Sequence, residues 1–300
     1  MPGCWHVERI GNARVFFRGR LCLGPDYALM LATALMIAVP SLFFINYAIG
    51  LGARVACGCF AVVSLGLMFR SATMDPGICP KAPPPLEGAP PLEPPVEDVS
   101  YIDENGQGQR ALVERKWCYC CNNYRPLRAI HCRFCDVCIA RRDHHCPWVG
   151  TCVGERNYRF YFLFLWSSLG LALTVLVGGI RSLVLRTTLL SRDAAHANRG
   201  AFLAALEDTH FVEPLLLLVA AATCFLVAPL AAFHLMLVTR NMTTVEELRG
   251  EAGHVHYYDR GHCLENVRAS LCAPVPPSSL LHPPQRCSSA LEIAVETSEA

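Results

Sequence analysis

Charge is what this chain has least of. Asp, Glu, Lys and Arg make up only 17% of its 300 residues, the formal net charge is +1, and 53% of residues are hydrophobic, for a mean hydropathy of +0.31. Soluble domains average about 25% charged residues, so this deficit argues against an ordinary soluble globule of one or two domains. A net charge this close to zero says nothing for or against nucleic acid, and no nucleic-acid partner is expected. A cleavable secretory signal is also missing: the first 26 residues carry Arg9, Arg14, Arg18 and Arg20 around no apolar core. There is no internal repeat of useful period, and no Gly-rich phosphate-cradling loop ending in Lys-Ser or Lys-Thr.

What the chain has in quantity is long apolar runs. Tyr27 to Ile49 is almost wholly apolar and long enough to cross a bilayer, for which about 20 helical residues suffice. Pro40 within it predicts a kink rather than a break, because neighbouring helices can satisfy the freed carbonyl. Val55 to Phe69 is a second, shorter run, which Ser71 to Met74 could lengthen while Arg54 and Arg70 snorkel to the two surfaces. Phe160 to Ile180 is a third. Tyr158, Tyr161 and Phe162 at its start and Trp166 within it read as an interfacial aromatic belt. Pro214 to Val238, with Pro229 inside, is the fourth. One such run could be a buried core helix, but four with charged flanks read as membrane spans.

Four spans place both termini and the loop between the second and third on one side. Of the 26 lysines and arginines, 21 fall on that side and 5 on the other, so the positive-inside rule assigns it to the cytosol. Redox chemistry agrees, since reduced thiols and metal sites persist in cytosol whereas an oxidising compartment favours disulfides. Pro80 to Pro95 reads as an extended tether, Asp75-Pro76-Gly77 as a turn ending the second span, and the Pro- and Ser-rich tail as disordered.

The chain has 17 cysteines, and between Cys118 and Cys152 eight of them stand with three histidines. Cys118/Cys121, Cys132/Cys135 and Cys135/Cys138 have zinc spacing. Two closed tetrahedral zinc sites take eight ligands. The window offers eleven candidates: Cys118, Cys120, Cys121, His131, Cys132, Cys135, Cys138, His144, His145, Cys146 and Cys152. Three remain over. If His144 and Cys146 are two of them, a thiol has a base beside it and Asp143 can orient that base, which is the logic of a cysteine nucleophile. Cys57, Cys59 and Cys224, outside the window, read as small apolar packing.

The stretch Lys116 to Phe162 resembles the cysteine-rich domain of the DHHC family of protein S-acyltransferases, the palmitoyltransferases. The matching pieces are Cys118-x2-Cys121, Arg125-Pro126-x-Arg128, His131-Cys132-x2-Cys135-x2-Cys138, Asp143-His144-His145-Cys146-Pro147-Trp148-Val149, Cys152-Val153-Gly154 and Arg156-Asn157-Tyr158-Arg159-Phe160. Asp75-Pro76-Gly77 and Thr243-Thr244-Val245-Glu246 resemble two further family motifs. Gly11-Asn12, Gly19-Arg20 and Gly24-Pro25-Asp26 look like the subgroup that includes the yeast Ras palmitoyltransferase. Cys120 and Thr151 depart from the usual residues, and neither is a ligand or nucleophile by the resemblance.

The resemblance implies two structural zinc ions, one held by Cys118, Cys121, His131 and Cys138 and the other by Cys132, Cys135, His145 and Cys152. It implies Cys146 as the nucleophile, His144 as its base and Asp143 as the orienting carboxylate. Thr244 is implied to bond Asp143, and Asn266 to support the site. Thr243 with Glu246 also has capping-box spacing. A fatty acyl-CoA such as palmitoyl-CoA is implied as donor, with Arg125, Arg128 and Arg156 candidates for its phosphates. Implied partners are membrane lipid, proteins with membrane-proximal cysteines and an accessory subunit of the kind some members of the subgroup require. His234, ionisable within a span, reads as a structural hydrogen bond near the cytosolic end.

The expected architecture is an all-α multi-pass membrane protein: four transmembrane helices with a cytosolic, zinc-bound cysteine-rich domain between the second and third. The expected boundaries are a cytosolic N-terminus (1–26), the first two spans (27–74), a Pro-rich linker (75–115), the cysteine-rich domain (116–159), the last two spans and their luminal loop (160–240), a cytosolic C-terminal segment (241–277) and a tail (278–300). The expected location is endomembrane, Golgi or ER, with plasma membrane as the alternative. The competing function is a non-catalytic zinc-finger adaptor, which has no need of a ligand-free thiol flanked by a base. A RING-like ubiquitin ligase fails on spacing.

Overall fold

Where water is absent, only helix satisfies a single segment's own backbone, and the apolar runs fold accordingly. The computed structural model describes residues 8–83, 93–102, 107–192, 200–250 and 258–281. Its helices are α1 (Tyr27–Tyr47), α2 (Leu51–Thr73), α3 (Tyr158–Ser191), α4 (Ala201–Asp208), α5 (Val212–Arg240), α6 (Thr244–Leu248) and α7 (Cys263–Val267). Helices α1, α2, α3 and α5 have 21, 23, 34 and 29 residues, with mean hydropathies of 2.3, 1.8, 2.0 and 2.5 in their apolar windows. Each is long enough for a bilayer core of about 30 Å, so the chain reads as a multi-pass membrane protein. Pro40 and Pro229 lie inside continuous helix.

Helix α3 is the axis of the bundle. Its apolar window is 44% buried, against 17 to 22% for the other three. Small residues on α3 let its neighbours approach: a Cβ on Gly170 would lie 2.5 Å from Phe60, and one on Gly178 or Gly179 2.8 Å from Phe44 or Leu217. Ser64 bonds Ser167 at 3.0 Å, joining α2 to α3. Outward-facing Leu35, Val62, Val177 and Phe225 are 62 to 78% exposed, an apolar girdle suited to lipid. The aromatic-belt reading of the start of α3 is corrected. Tyr158, Tyr161 and Phe162 are buried, because α5 and the segment around Cys146 cover that face.

The all-α expectation is corrected as well. Short strands carry the extramembrane part: β1 (Glu8–Ile10), β2 (Ala13–Phe16), β3 (Leu21–Leu23), β4 (Ile78–Cys79), β5 (Val96–Ile102), β6 (Gly108–Glu114), β7 (Trp117–Cys118), β8 (Asn123–Tyr124), β9 (Ile130–Cys132), β10 (Val137–Ile139), β11 (His144–Cys146) and β12 (Thr151–Val153). They pair antiparallel, in the orders β1-β2-β3, β4-β10-β9, β5-β6, β7-β8 and β11-β12. The β5-β6 hairpin falls in the expected linker. Residues 84–92 of the proline-rich stretch and 282–300 of the tail lie outside the described residues, whereas the first residues of the expected disordered tail are packed, with Ser278 buried and donating to Asp75.

The cysteine module is built from two knuckles of one design. Cys118-x2-Cys121 and Cys132-x2-Cys135 are each followed by a residue with positive φ, Asn122 at 51° and Asp136 at 51°. Asn and Asp are among the few residues that take this conformation readily. The β1-β2 turn closes over the second knuckle. Gly11 (φ +58°) sits where a Cβ would lie 2.3 Å from the Cys135 carbonyl oxygen, and Asn12 donates its amide to that oxygen at 2.8 Å and its side chain to the Phe134 carbonyl at 2.8 Å. Thus the N-terminal strands, which the sequence left without a role, form one wall of the module.

Candidate active site

The module brings the expected ligands together in two groups. Cys118, Cys121, His131 and Cys138 form one, Cys132, Cys135, His145 and Cys152 the other, with donor atoms in each group all within 4.8 Å of one another. In the second group His145 Nδ1 lies 3.7, 3.4 and 3.6 Å from the sulfurs of Cys132, Cys135 and Cys152, and the Cys135 and Cys152 sulfurs are 3.6 Å apart. In the first, Cys121 Sγ is 3.4 Å from His131 Nδ1. A zinc tetrahedron with metal–ligand bonds of about 2.0 to 2.3 Å has edges of roughly 3.4 to 3.8 Å. The donor sets therefore fit zinc, three sulfurs and one imidazole per ion, and all four positions of each are filled by protein.

One contact to these sites was not assigned from the sequence, although Asp26 stands in the Gly24-Pro25-Asp26 motif. His145 turns its other nitrogen, Nε2, to Asp26 Oδ2 at 2.8 Å, across 119 positions of chain. Asp26 reaches it because its amide bonds the Gly150 carbonyl at 3.2 Å and Gly150 has φ +80°, with a Cβ there lying 2.9 Å from the Asp26 carbonyl oxygen. A carboxylate behind a metal-binding imidazole fixes its tautomer and raises its basicity. Asp26→Asn is expected to weaken zinc retention at the second site about 10- to 100-fold, read as zinc release to a chelator. Wild-type retention by this variant would show the contact to be idle.

His144 and Cys146 stand outside both ligand groups. The β11-β12 hairpin holds them, with His144 opposite Val153 and Cys146 opposite Thr151. His144 Nδ1 donates to Asp143 Oδ2 at 2.6 Å. Because a carboxylate only accepts, the proton of neutral His144 is on Nδ1, and Nε2 is left as the acceptor. His144 and Cys146 lie two residues apart on this hairpin, and the Cys146 sulfur helps raise the His144 pKa. Asp143 is fully buried, and Thr244 holds it twice: its amide donates to Oδ1 at 2.8 Å and its hydroxyl to Oδ2 at 2.7 Å. The capping box coexists with this role, Thr243 and Glu246 bonding each other across the first turn of α6.

Electrostatics favour a charged dyad. Burial alone would raise the Asp143 carboxyl, but the bond and charge of His144, the His234 imidazole and the Thr244 amide bring it below the ordinary carboxylate value. Burial opposes charge on His144 too, yet the bond to Asp143 and the Cys146 sulfur raise it from 6.5 to about 9. A raised histidine stabilises the fold fully below its unfolded value near 6.5, and that contribution is lost as pH climbs through the folded value. The thermal midpoint of the wild-type chain is therefore expected to exceed that of His144→Ala most at pH 6 and to converge on it by pH 10. A gap that widened with pH would reverse the assignment.

Around the dyad, α5 supplies His234, whose Nδ1 and Nε2 lie 3.1 Å from the Tyr158 hydroxyl and 3.4 Å from that of Tyr161. His234 thus makes the hydrogen bonds expected of it, but beside the dyad rather than in remote packing. Asn266 bonds the Thr239 carbonyl at 3.0 Å and Asp259 at 2.8 Å, tying the C-terminal segment to the end of α5. Two of the three arginines read as phosphate contacts are engaged inside the protein. Arg128 forks onto Glu246 at 2.7 and 2.6 Å, and Arg156 pairs with buried Asp75 at 3.0 Å. Arg125 and Arg128 line a cleft of about 270 Å³ with Lys116, Arg249 and Tyr258.

Comparison with known proteins agrees with this geometry. Residues 112–251 match the family model described as DHHC palmitoyltransferase. The chain is 30% identical to palmitoyltransferase ZDHHC14 of Danio rerio over 89% of its own length and 58% of the relative's. It is 34% identical to palmitoyltransferase ZDHHC9 of Homo sapiens over 72% and 60%. Protein S-acyltransferase 8 of Arabidopsis thaliana is 32% identical over 89% of this chain and 69% of that protein. The chain therefore spans less than two thirds of the length of the zebrafish and human relatives. Two sulfur–imidazole metal groups, a thiol left outside them against an Asp–His pair, and these likenesses lead to one conclusion: the chain belongs to the DHHC palmitoyltransferase family.

Proposed function

We propose that this protein is a protein S-acyltransferase that moves a long fatty acyl group, such as palmitoyl, from acyl-CoA to cysteines of membrane-associated proteins through an acyl-Cys146 intermediate. The observation that carries this reading is the exclusion of Cys146 from both candidate metal groups, on the same short strand as a His144 that Asp143 orients. The thiol proton resides on His144 Nε2 in a thiolate–imidazolium pair that Asp143 stabilises; the thiolate attacks the thioester carbonyl, and CoA leaves with that proton as its thiol. A substrate thiol then repeats the exchange. One thioester replaces another, so no further energy source is required. Zinc, when bound, stiffens the loops that present the sulfur.

Packing supports a lipid donor. Cys146 belongs to an apolar cluster with Met30, Met68, Phe162, Leu165 and Ala231, drawn from all four long helices. Partly buried Ile37 joins this cluster to a small cavity among α1, α3 and α5, lined by Pro40, Leu171, Val175 and Ala220. Leu171 and Val175 follow Tyr161 by about 15 to 20 Å along α3, a distance suited to a long acyl chain. Each buried methylene contributes about 0.8 kcal/mol. The cleft lined by Arg125 and Lys116 is the place proposed for CoA phosphates, with Arg128, paired to Glu246, shaping its wall. The orientation proposed from lysine and arginine placement puts the module and both termini in the cytosol. The Golgi or ER location is carried over from the family resemblance.

The test is mass spectrometry of the purified chain after incubation with acyl-CoAs of graded length. An acyl mass on Cys146, labile to hydroxylamine, is the expected result. Absence of any adduct, with both zinc ions present, would leave the adaptor reading in its place.

A further inference from the structure

The reaction just proposed creates an oxyanion, and the chain around the nucleophile has few backbone donors to meet it. In many acyl-transfer sites the amide following the nucleophile does so, but here that residue is Pro147, which has no N–H. The amides of Val149 and Gly150 are turned back onto the Cys146 carbonyl at 3.2 and 2.9 Å. With Pro147 lacking an amide and those of Val149 and Gly150 engaged, a buried side chain next to Cys146 is the donor to look for.

Tyr161 is placed to do so. It is 2% exposed, shares the apolar cluster of Cys146, and meets the His144 ring edge-on with centroids 5.0 Å apart. Its hydroxyl also lies 3.4 Å from His234 Nε2, while Tyr158 holds the opposite nitrogen, Nδ1, at 3.1 Å. A neutral imidazole carries one N–H. With Tyr158 donating into Nδ1, the proton sits on Nε2 and is donated to the Tyr161 oxygen. The O–H of Tyr161 is then released to point elsewhere, and a chain of bonds running one way strengthens each member. Asp143, His144 and His234 could also be read as a third metal site. Both Asp143 oxygens and both His234 nitrogens already have partners, which favours the hydrogen-bond network.

We infer that the Tyr161 hydroxyl, oriented through His234 by Tyr158, is the catalytic donor to the thioester oxygen during attack by Cys146. As the sulfur–carbon bond forms, the carbonyl π pair moves onto oxygen and is met by the Tyr161 O–H. When the pair returns, the carbon–sulfur bond to CoA breaks and CoA departs with the proton held by His144. Tyr161 acts on the reacting atoms, and His234 is a positioning residue.

This inference rests on the acyl-transfer reading, and the experiment separates the two. Single-turnover acylation by palmitoyl-CoA is measured in detergent for wild type, Cys146→Ser, Tyr161→Phe and His234→Phe, with zinc content and thermal midpoint for each. Wild type without acylation defeats the underlying reading. Where wild type acylates, Tyr161→Phe is expected to lower the maximal rate by about tenfold or more, as loss of an oxyanion donor does, with half-saturation by palmitoyl-CoA and zinc content unchanged. A maximal rate within about threefold of wild type, or a change in half-saturation alone, overturns the assignment. His234→Phe provides the second reading should Tyr161→Phe fail to fold. It removes the Nε2–H, and a wild-type maximal rate in that variant likewise overturns the proposal.

Discussion

Serine in place of Cys146 is expected to end self-acylation and acyl transfer together, while two zinc ions stay bound. A hydroxyl is a far weaker nucleophile than a thiol at neutral pH, and an ester formed on it would not exchange readily with a substrate thiol. Loss of a nucleophile that works as a unit with its base costs about 10⁴-fold or more. The fold has little reason to respond. Cys146 lies outside both ligand groups, and the change keeps the side chain's shape at a single buried site. Gel-based transfer of a labelled acyl group, run beside a zinc assay, reads both halves. Retained transfer would defeat the mechanism, and loss of zinc would place Cys146 among the ligands.

The opposite pattern is expected for Cys135→Ser or His145→Ala, which should lower zinc content and unfold the module, with activity lost as a consequence. The sulfurs of Cys132, Cys135 and Cys152 lie in one apolar core with Ala13, Val15, Ile78, Val137 and Ile139. That core is small, and its centre is the metal group. Structural zinc contributes about 10 to 16 kcal/mol in small metal-folded modules, as much as the whole stability of a typical domain, about 5 to 15 kcal/mol. Cys120→Ser is the control, since Cys120 is exposed and belongs to neither group. Native mass spectrometry and thermal unfolding should separate the two. A Cys135→Ser chain that kept both ions and its midpoint would refute the ligand assignment.

Much of the site was legible because it is local. Both Cys-x2-Cys knuckles and the Asp143–Cys146 run lie within a few dozen residues, and a metal demands particular side chains at particular spacings. Long-range partners were legible only where a motif marked them. Thr244 reaches Asp143 across 101 positions and was found through resemblance, whereas Asp26, marked only as part of Gly24-Pro25-Asp26, reaches His145 across 119 with nothing in that motif to give it the role. The strands were missed because most have two to four residues, too few for period-two alternation to show. They exist because turns and metal ligands pin both ends. Helix α3 was expected to end at Ile180, where Arg181 and Arg186 interrupt the apolar run, yet it continues to Ser191 because arginine is a good helix former. The apolar run expected for helix α2 is Val55 to Phe69, with Ser71 to Met74 able to lengthen it, and the helix extends that way and at its start. Gly52, Arg54 and Arg70 dilute its ends without breaking the helix at Leu51–Thr73.

The seal between Asn12 and the second knuckle also imposes an order on biosynthesis. Asn12 leaves the ribosome 122 residues ahead of Phe134, the residue that accepts its side-chain bond. At elongation rates of about 5 to 20 residues per second, the early strands wait roughly 6 to 24 s for their counterpart. Both α1 and α2 are synthesised within that interval. Docking of the first hairpin is therefore a late event in the nascent chain, and it closes the module only after two membrane helices have been made.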